Sequence, residues 1–118
     1  MNNVDEILYK LSKSNFRSSF HLRKYMIEYI NNKGMSTIRN HAYDFINQKI
    51  APAFPKNDGR QTPTKNHPVF IAMHACACCC RSCLFKWYQI PKGRKLTKSE
   101  IDFLVNIVIT WIEKELNF

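Results

Sequence analysis

The residues with chemistry to offer crowd into one stretch. All five cysteines fall between positions 76 and 83 (Cys76, Cys78, Cys79, Cys80, Cys83), and two of the four histidines, His67 and His74, lie just upstream. Thiolate and imidazole are donors that suit a first-row metal, and Cys80-x-x-Cys83 has the spacing of half a zinc site. No His-x-x-x-His supplies the second half, and the other Cys-x-x-Cys, Cys76 to Cys79, directly adjoins the first. Completion falls to Cys79 or Cys76, to His74, or to His21 or His41 from a neighbouring helix. The expected set is Cys79, Cys80, Cys83 and His74, with zinc as the metal. An iron–sulfur cluster would use the same thiolates. The competing reading is a scaffold that holds no metal, its cysteines packed as small hydrophobes. A redox or nucleophilic thiol ranks below both, because the Cys-x-x-Cys lies inside a helical pattern and not after a strand.

Helical geometry restricts which donors can meet. At about 100° per residue, His74 and Cys78 fall within about 20° of His67, whereas Cys79, Cys83, Cys76 and Cys80 lie at about 120° to 220°. On an unbroken helix, His74 therefore cannot share a metal with Cys80 and Cys83. A metal site predicts a break or widened turn near Cys78 to Cys80; merely packed thiols predict a straight, buried helix.

A second chemistry is open to Asp58, His67 and His74. One carboxylate and two imidazoles near a basic loop suit acid–base work on a phosphorylated substrate, as in a hydrolase or transferase, with Arg60 holding the anion. The plainer account makes Asp58 a turn residue before Gly59 and His67 a cap beside Pro68. If the histidines serve the loop, both should face residues 58–62.

Charge points to an anionic partner. The net charge is +9, and between Lys56 and Lys98 nine basic residues face one acid, Asp58. Arg60, Lys92, Arg94 and Lys95 are the expected anion contacts, and nucleic acid or a small phosphorylated ligand is the expected partner. Phe85, Trp87 and Tyr88 beside these cations add possible stacking surfaces. No apolar run reaches membrane-spanning length and the polar N-terminus is unlike a signal peptide, so a reducing, cytoplasmic setting is expected. There, clustered cysteines serve as ligands or free thiols more often than as disulfides.

The elements that position these residues read as helices. With 45% hydrophobic residues in 118, the chain suffices for one domain spanning 1–118 with its own core. Val4, Ile7, Leu8 and Leu11 mark a first helix over 3–13. Ser18-Ser19 offers a cap for a second, closed by Gly34, and Ser36 for a third, running through Ile50. Residues 51–66 form a long loop with three prolines and an Asn-Asp-Gly turn. Asn66 and Pro68 suit the start of a central Cys-rich helix reaching about Tyr88. Thr97 to Glu100 matches a capping box ahead of a last helix carrying Ile101, Leu104, Val105, Val108, Ile109, Ile112 and Leu116. The expected fold is all-α: a single small domain of about five helices around a buried, Cys-rich central helix.

Several segments carry a family resemblance. These are Ser14-Asn15-Phe16-Arg17-Ser18-Ser19-Phe20-His21-Leu22, Asn57 to Pro63, His67-Pro68-Val69-Phe70-Ile71-Ala72, His74-Ala75, Cys79-Cys80-Arg81-Ser82-Cys83-Leu84, Lys86-Trp87 and Ile90 to Arg94. Together they resemble the family named domain of unknown function 4186, short prokaryotic and viral proteins, over nearly the whole chain. The resemblance implies a thiol core of Cys-Cys-Arg-small-Cys, matched here by Cys79, Cys80 and Cys83. Cys76 and Cys78 fall where that pattern has threonine, and Met73 where it has glutamine. No activity comes with the resemblance.

Overall fold

The computed structural model describes residues 4–117. Six α-helices follow one another: α1 (Val4–Ser12), α2 (Lys24–Lys33), α3 (Met35–Lys49), α4 (Pro68–Ala75), α5 (Arg81–Tyr88) and α6 (Lys98–Leu116). One 3-10 turn, Arg17–Ser19, lies between α1 and α2, and no strand occurs among the described residues. The fold is all-α, as expected. It has one helix more than the five read from the sequence, because the Cys-rich segment is two short helices.

The longest helix, α6, is the hub. Thr97 Oγ1 accepts from the Glu100 N–H at 3.1 Å and Glu100 Oε1 from the Thr97 N–H at 2.8 Å, the reciprocal cap its sequence called for. Its apolar stripe (Leu104, Val105, Ile107, Val108, Ile109, Ile112) is buried against α3, α4 and α1. Burying each large side chain of that stripe contributes about 1.5–3 kcal/mol. Helix α4 is buried almost all round: Val69, Ala72 and Met73 are wholly inaccessible, between α6 and the α2–α3 pair.

Two helix starts differ from the expected caps. Ser18 and Ser19 belong to the 3-10 turn, the chain then runs extended through Phe20, and α2 begins only after Arg23. Ser36 caps nothing, because α3 starts at Met35 directly after Gly34, which ends α2. A one-residue junction between helices forces Gly34 to φ +87°, where a Cβ is strained.

The central segment breaks where a shared metal site would require it. Helix α4 ends in a Schellman motif: Cys78 N–H donates to Met73 O at 2.9 Å, Ala77 N–H donates to His74 O at 3.2 Å, and Ala77 is left-handed at φ +57°. Alanine in that conformation costs about 1 kcal/mol that glycine would not. The chain then bends through Cys79 to Cys80, whose own backbone is extended and which precedes the first turn of α5. No proline or glycine marks this break in the sequence.

Candidate metal centre

The break gathers Cys79, Cys80 and Cys83. Their three sulfurs lie within 4.8 Å of one another. Cys83 Sγ is 3.3 Å from Cys80 Sγ and 3.7 Å from Cys79 Sγ. Cys80 occupies the N-cap of α5 and Cys83 its first turn, so the sulfurs sit at the positive end of a helix, where anionic sulfur is favoured. Cys79 and Cys80 are buried and Cys83 is half-buried. All five cysteines are free thiols.

Arg17 closes one side of this group. Its Nη2 donates to Cys83 Sγ at 3.1 Å, and its Nη1 donates to Cys79 Sγ at 3.5 Å and to the His74 carbonyl at 2.7 Å. The residue is only 8% exposed, and none of the ion pairs among the described residues involves it. A buried guanidinium with no carboxylate partner among the described residues favours negative charge on the sulfurs it faces. Burial works against the Arg17 charge, but hydrogen bonds and charge from Cys79 and then Cys83 outweigh it and raise its pKa. A hydrogen bond from Cys83, aided by Arg17, brings the Cys79 pKa down to about 7. Donating that bond, together with burial, pushes the Cys83 thiol up. Negative charge is thus favoured on Cys79, facing the positive charge of Arg17.

The long loop, residues 51–66, latches the break from the other side. Buried Thr62 donates its hydroxyl to the Cys79 carbonyl at 2.8 Å. Asp58 Oδ1 accepts from the Arg81 N–H at 3.2 Å, satisfying one of the free donors at the start of α5, and also accepts from Gln61 Nε2 at 2.9 Å. The Arg81 side chain, 1% exposed, donates to the carbonyls of Ile50, Pro52 and Pro91, tying the loop's start and the chain after α5 to the site. Its Nε has no partner among the described residues.

His74 lies outside the three-sulfur group. Its Nε2 is 3.0 Å from the Thr62 carbonyl and 3.1 Å from the Pro63 carbonyl; both oxygens only accept, so Nε2 carries the hydrogen. His74 therefore faces the loop, as expected, and meets the site through its main-chain carbonyl, not its ring. His67 does not face that loop. Its Nδ1 accepts from the Val69 N–H at 3.0 Å, capping α4, and its Nε2 lies 3.0 Å from His41 Nδ1. Asp58, His67 and His74 thus each hold a separate piece of backbone, and no hydrogen bond joins any two of them.

The expected anion contacts are spread out. Arg94 forms a two-point pair with Glu100 at 2.8 Å for each bond, and Lys92 Nζ donates to Ser82 Oγ at 3.1 Å. Arg60 lines a surface hollow of about 250 Å³ with Lys49 and Lys56, and Lys95 borders another. Phe85 is exposed, whereas Trp87 and Tyr88 pack on the core.

Sequence reasoning did not single out Arg17, Thr62 or the buried role of Arg81. Arg17 is 62 positions from Cys79 and Thr62 is 17, so no local spacing announces either contact. The one available sign was an arginine between Phe16 and Phe20 in the segment carrying the family resemblance.

The family model described as Domain of unknown function (DUF4186) matches residues 5–113 of the 118. The chain belongs to this family. No solved structure matches it. The span matched to DUF4186 includes Arg17, Asp58, Thr62 and the three clustered cysteines, so the whole latch lies inside it. In this DUF4186 protein, Cys76 and Cys78 are fully buried in the core, where burial raises both thiols' pKa. They are packing residues in this arrangement. No helix among the described residues is long and apolar enough to cross a membrane.

Proposed function

We propose that this protein binds one zinc ion through the thiolates of Cys79, Cys80 and Cys83. The observation that carries this reading is the sulfur spacing. Zinc–sulfur bonds of about 2.3 Å at tetrahedral angles place sulfurs about 3.8 Å apart. The measured separations are 3.3 Å and 3.7 Å, and all three sulfurs lie within 4.8 Å of one another. Rotations about the Cα–Cβ bonds cover the remaining adjustment. A [4Fe–4S] cluster would put each thiolate on a different iron, which calls for a wider triangle than this one.

Three thiolates and a divalent cation leave one negative charge, and Arg17 supplies the matching positive one. Its N–H groups on two of the sulfurs also fix their orientation, the role that residues around a ligand set commonly play. No fourth His, Cys, Asp or Glu joins the group among the described residues. The fourth position is left to water or an outside ligand, which distinguishes this set from a closed four-cysteine site. Thr62, Asp58 and Arg81 hold the backbone around it.

Protein purified without chelator in a reducing, anaerobic buffer should carry about one zinc per chain. Serine at Cys80 and Cys83 together should abolish loading and lower stability, because metal affinity is folding free energy in such sites. Metal-free protein of undiminished stability would end this reading.

A further inference from the structure

The geometry points to a second property of these sulfurs: Cys80 and Cys83 form a peroxide-sensitive pair whose oxidation to a disulfide ejects the metal. The ejection rests on the zinc reading above; the disulfide step stands on the sulfur geometry alone.

Three features of the fold carry it. Cys80 Sγ and Cys83 Sγ are 3.3 Å apart, so a bond of about 2.05 Å needs only about 1.3 Å of closure. Cys80 lies in extended backbone at the N-cap while Cys83 sits on the first turn of α5, so side-chain rotation closes the gap without unwinding the helix. Cys83 is the half-buried member of the set and the other two are buried, so an oxidant from solvent reaches Cys83 first. Arg17 Nη2, 3.1 Å from Cys83 Sγ, places a positive donor where a peroxide oxygen leaves as anion.

The chemistry balances with a hydroperoxide as the oxidant. Cys83 passes its proton to the neighbouring Cys79 sulfur and attacks the outer peroxide oxygen as the thiolate, the O–O bond breaks, and alkoxide or hydroxide leaves; Cys83 becomes a sulfenic acid. The Cys80 thiolate then attacks the Cys83 sulfur, the S–S bond forms and hydroxide departs. Two protons from solvent neutralise the two leaving groups. In sum, two thiolates are oxidised to one disulfide and one hydroperoxide is reduced to an alcohol and water. Cys79 alone then faces the metal, and a single thiolate does not hold zinc. A thiol reductant reverses the change.

The test uses the full chain as purified, treated with hydrogen peroxide while zinc release is followed with a colorimetric chelator. Samples are alkylated and digested with trypsin, which cuts after Arg81 and so puts Cys80 and Cys83 on different peptides. A Cys80–Cys83 cross-linked peptide should appear at the rate of zinc release, and dithiothreitol with added zinc should restore the starting state. In C80S the cross-link to position 80 should vanish, and the sulfenic acid at Cys83 should become trappable by dimedone. A protein lacking zinc from the start that still forms the cross-link would remove the metal reading and keep the redox one. A cross-link that forms with zinc retained would overturn the coupling. All three thiols staying alkylatable at peroxide levels that oxidise free cysteine would overturn the redox proposal and leave the metal reading intact.

Discussion

His67 offers a prediction whose sign and size follow from two hydrogen bonds. Its Nδ1 accepts the Val69 N–H at the start of α4, so that nitrogen carries no hydrogen. The hydrogen is therefore on Nε2, pointing at His41 Nδ1 3.0 Å away. The rings of Tyr29 from α2, Phe45 from α3 and Phe70 from α4 surround the pair. Protonating His67 turns Nδ1 into a donor aimed at another donor and places charge in a half-buried, aromatic surrounding. Burial first, and then His41, bring the His67 pKa down from 6.5 to about 4. A depressed imidazole contributes stability that is fully present above about pH 6.5 and is lost as pH falls toward about 4. The whole gap would amount to ~3.4 kcal/mol at ~1.36 kcal/mol per pKa unit. Water reaching the half-exposed ring reduces the expected loss to about 1–2 kcal/mol. The perturbation is His67→Asn, which keeps a cap acceptor but cannot titrate. Urea unfolding of both chains, metal-loaded alike, should show the wild type losing about 1–2 kcal/mol more than H67N on going from neutral pH to pH near 4.5. Equal losses in the two chains would refute the reasoning.

Other perturbations probe the latch around the sulfurs. Arg17→Met should lower zinc affinity about 10- to 100-fold, read by competition with a chelator of known affinity, because it removes the donors on Cys79 and Cys83; unchanged affinity would exclude Arg17 from the site. Thr62→Val leaves the Cys79 carbonyl without its buried donor and should cost about 1–2 kcal/mol in chemical denaturation. Asp58→Ala removes the acceptor for the Arg81 N–H and should cost about 1 kcal/mol, with faster amide exchange at the start of α5. Thr97→Ala breaks the capping box of α6 and should cost about 1 kcal/mol while leaving zinc loading unchanged.

The parts of the fold legible in the sequence were those set by local rules. The stripe from Leu104 to Ile112, the capping box at Thr97 and the closing Gly34 depend on residues within one or two turns, and the structure has them as read. The loop at 51–66 announced itself through its prolines and the Asn-Asp-Gly turn. The helix break did not, because Ala77 takes the left-handed position where glycine is the usual signal. Its stability comes from Thr62, Asp58 and Arg81, all placed by tertiary contacts. Helical-wheel reasoning made the break a condition for metal binding without showing it in the residues. With the break in place, Cys79 joins Cys80 and Cys83, and His74 turns to the loop carbonyls. The second helix start was misread at Ser18-Ser19 because Arg17, anchored on Cys79, Cys83 and the His74 carbonyl, holds that segment in a tight turn. Charge density over 56–98 was legible, but which cations are already paired was not: the partner of Arg94, Glu100, lies two residues past that window.

The central claim is that three sulfurs held at tetrahedral spacing bind a metal. It is tested most directly by quantifying metal and thiols together in full-length protein purified anaerobically without chelator. The account predicts about one zinc per chain, no visible absorption band, and Cys79, Cys80 and Cys83 protected from alkylation until zinc is stripped. A coloured preparation carrying iron would contradict the assignment of the metal. Protein with no metal, and with Cys83 reacting at once in the folded state, would contradict the site itself.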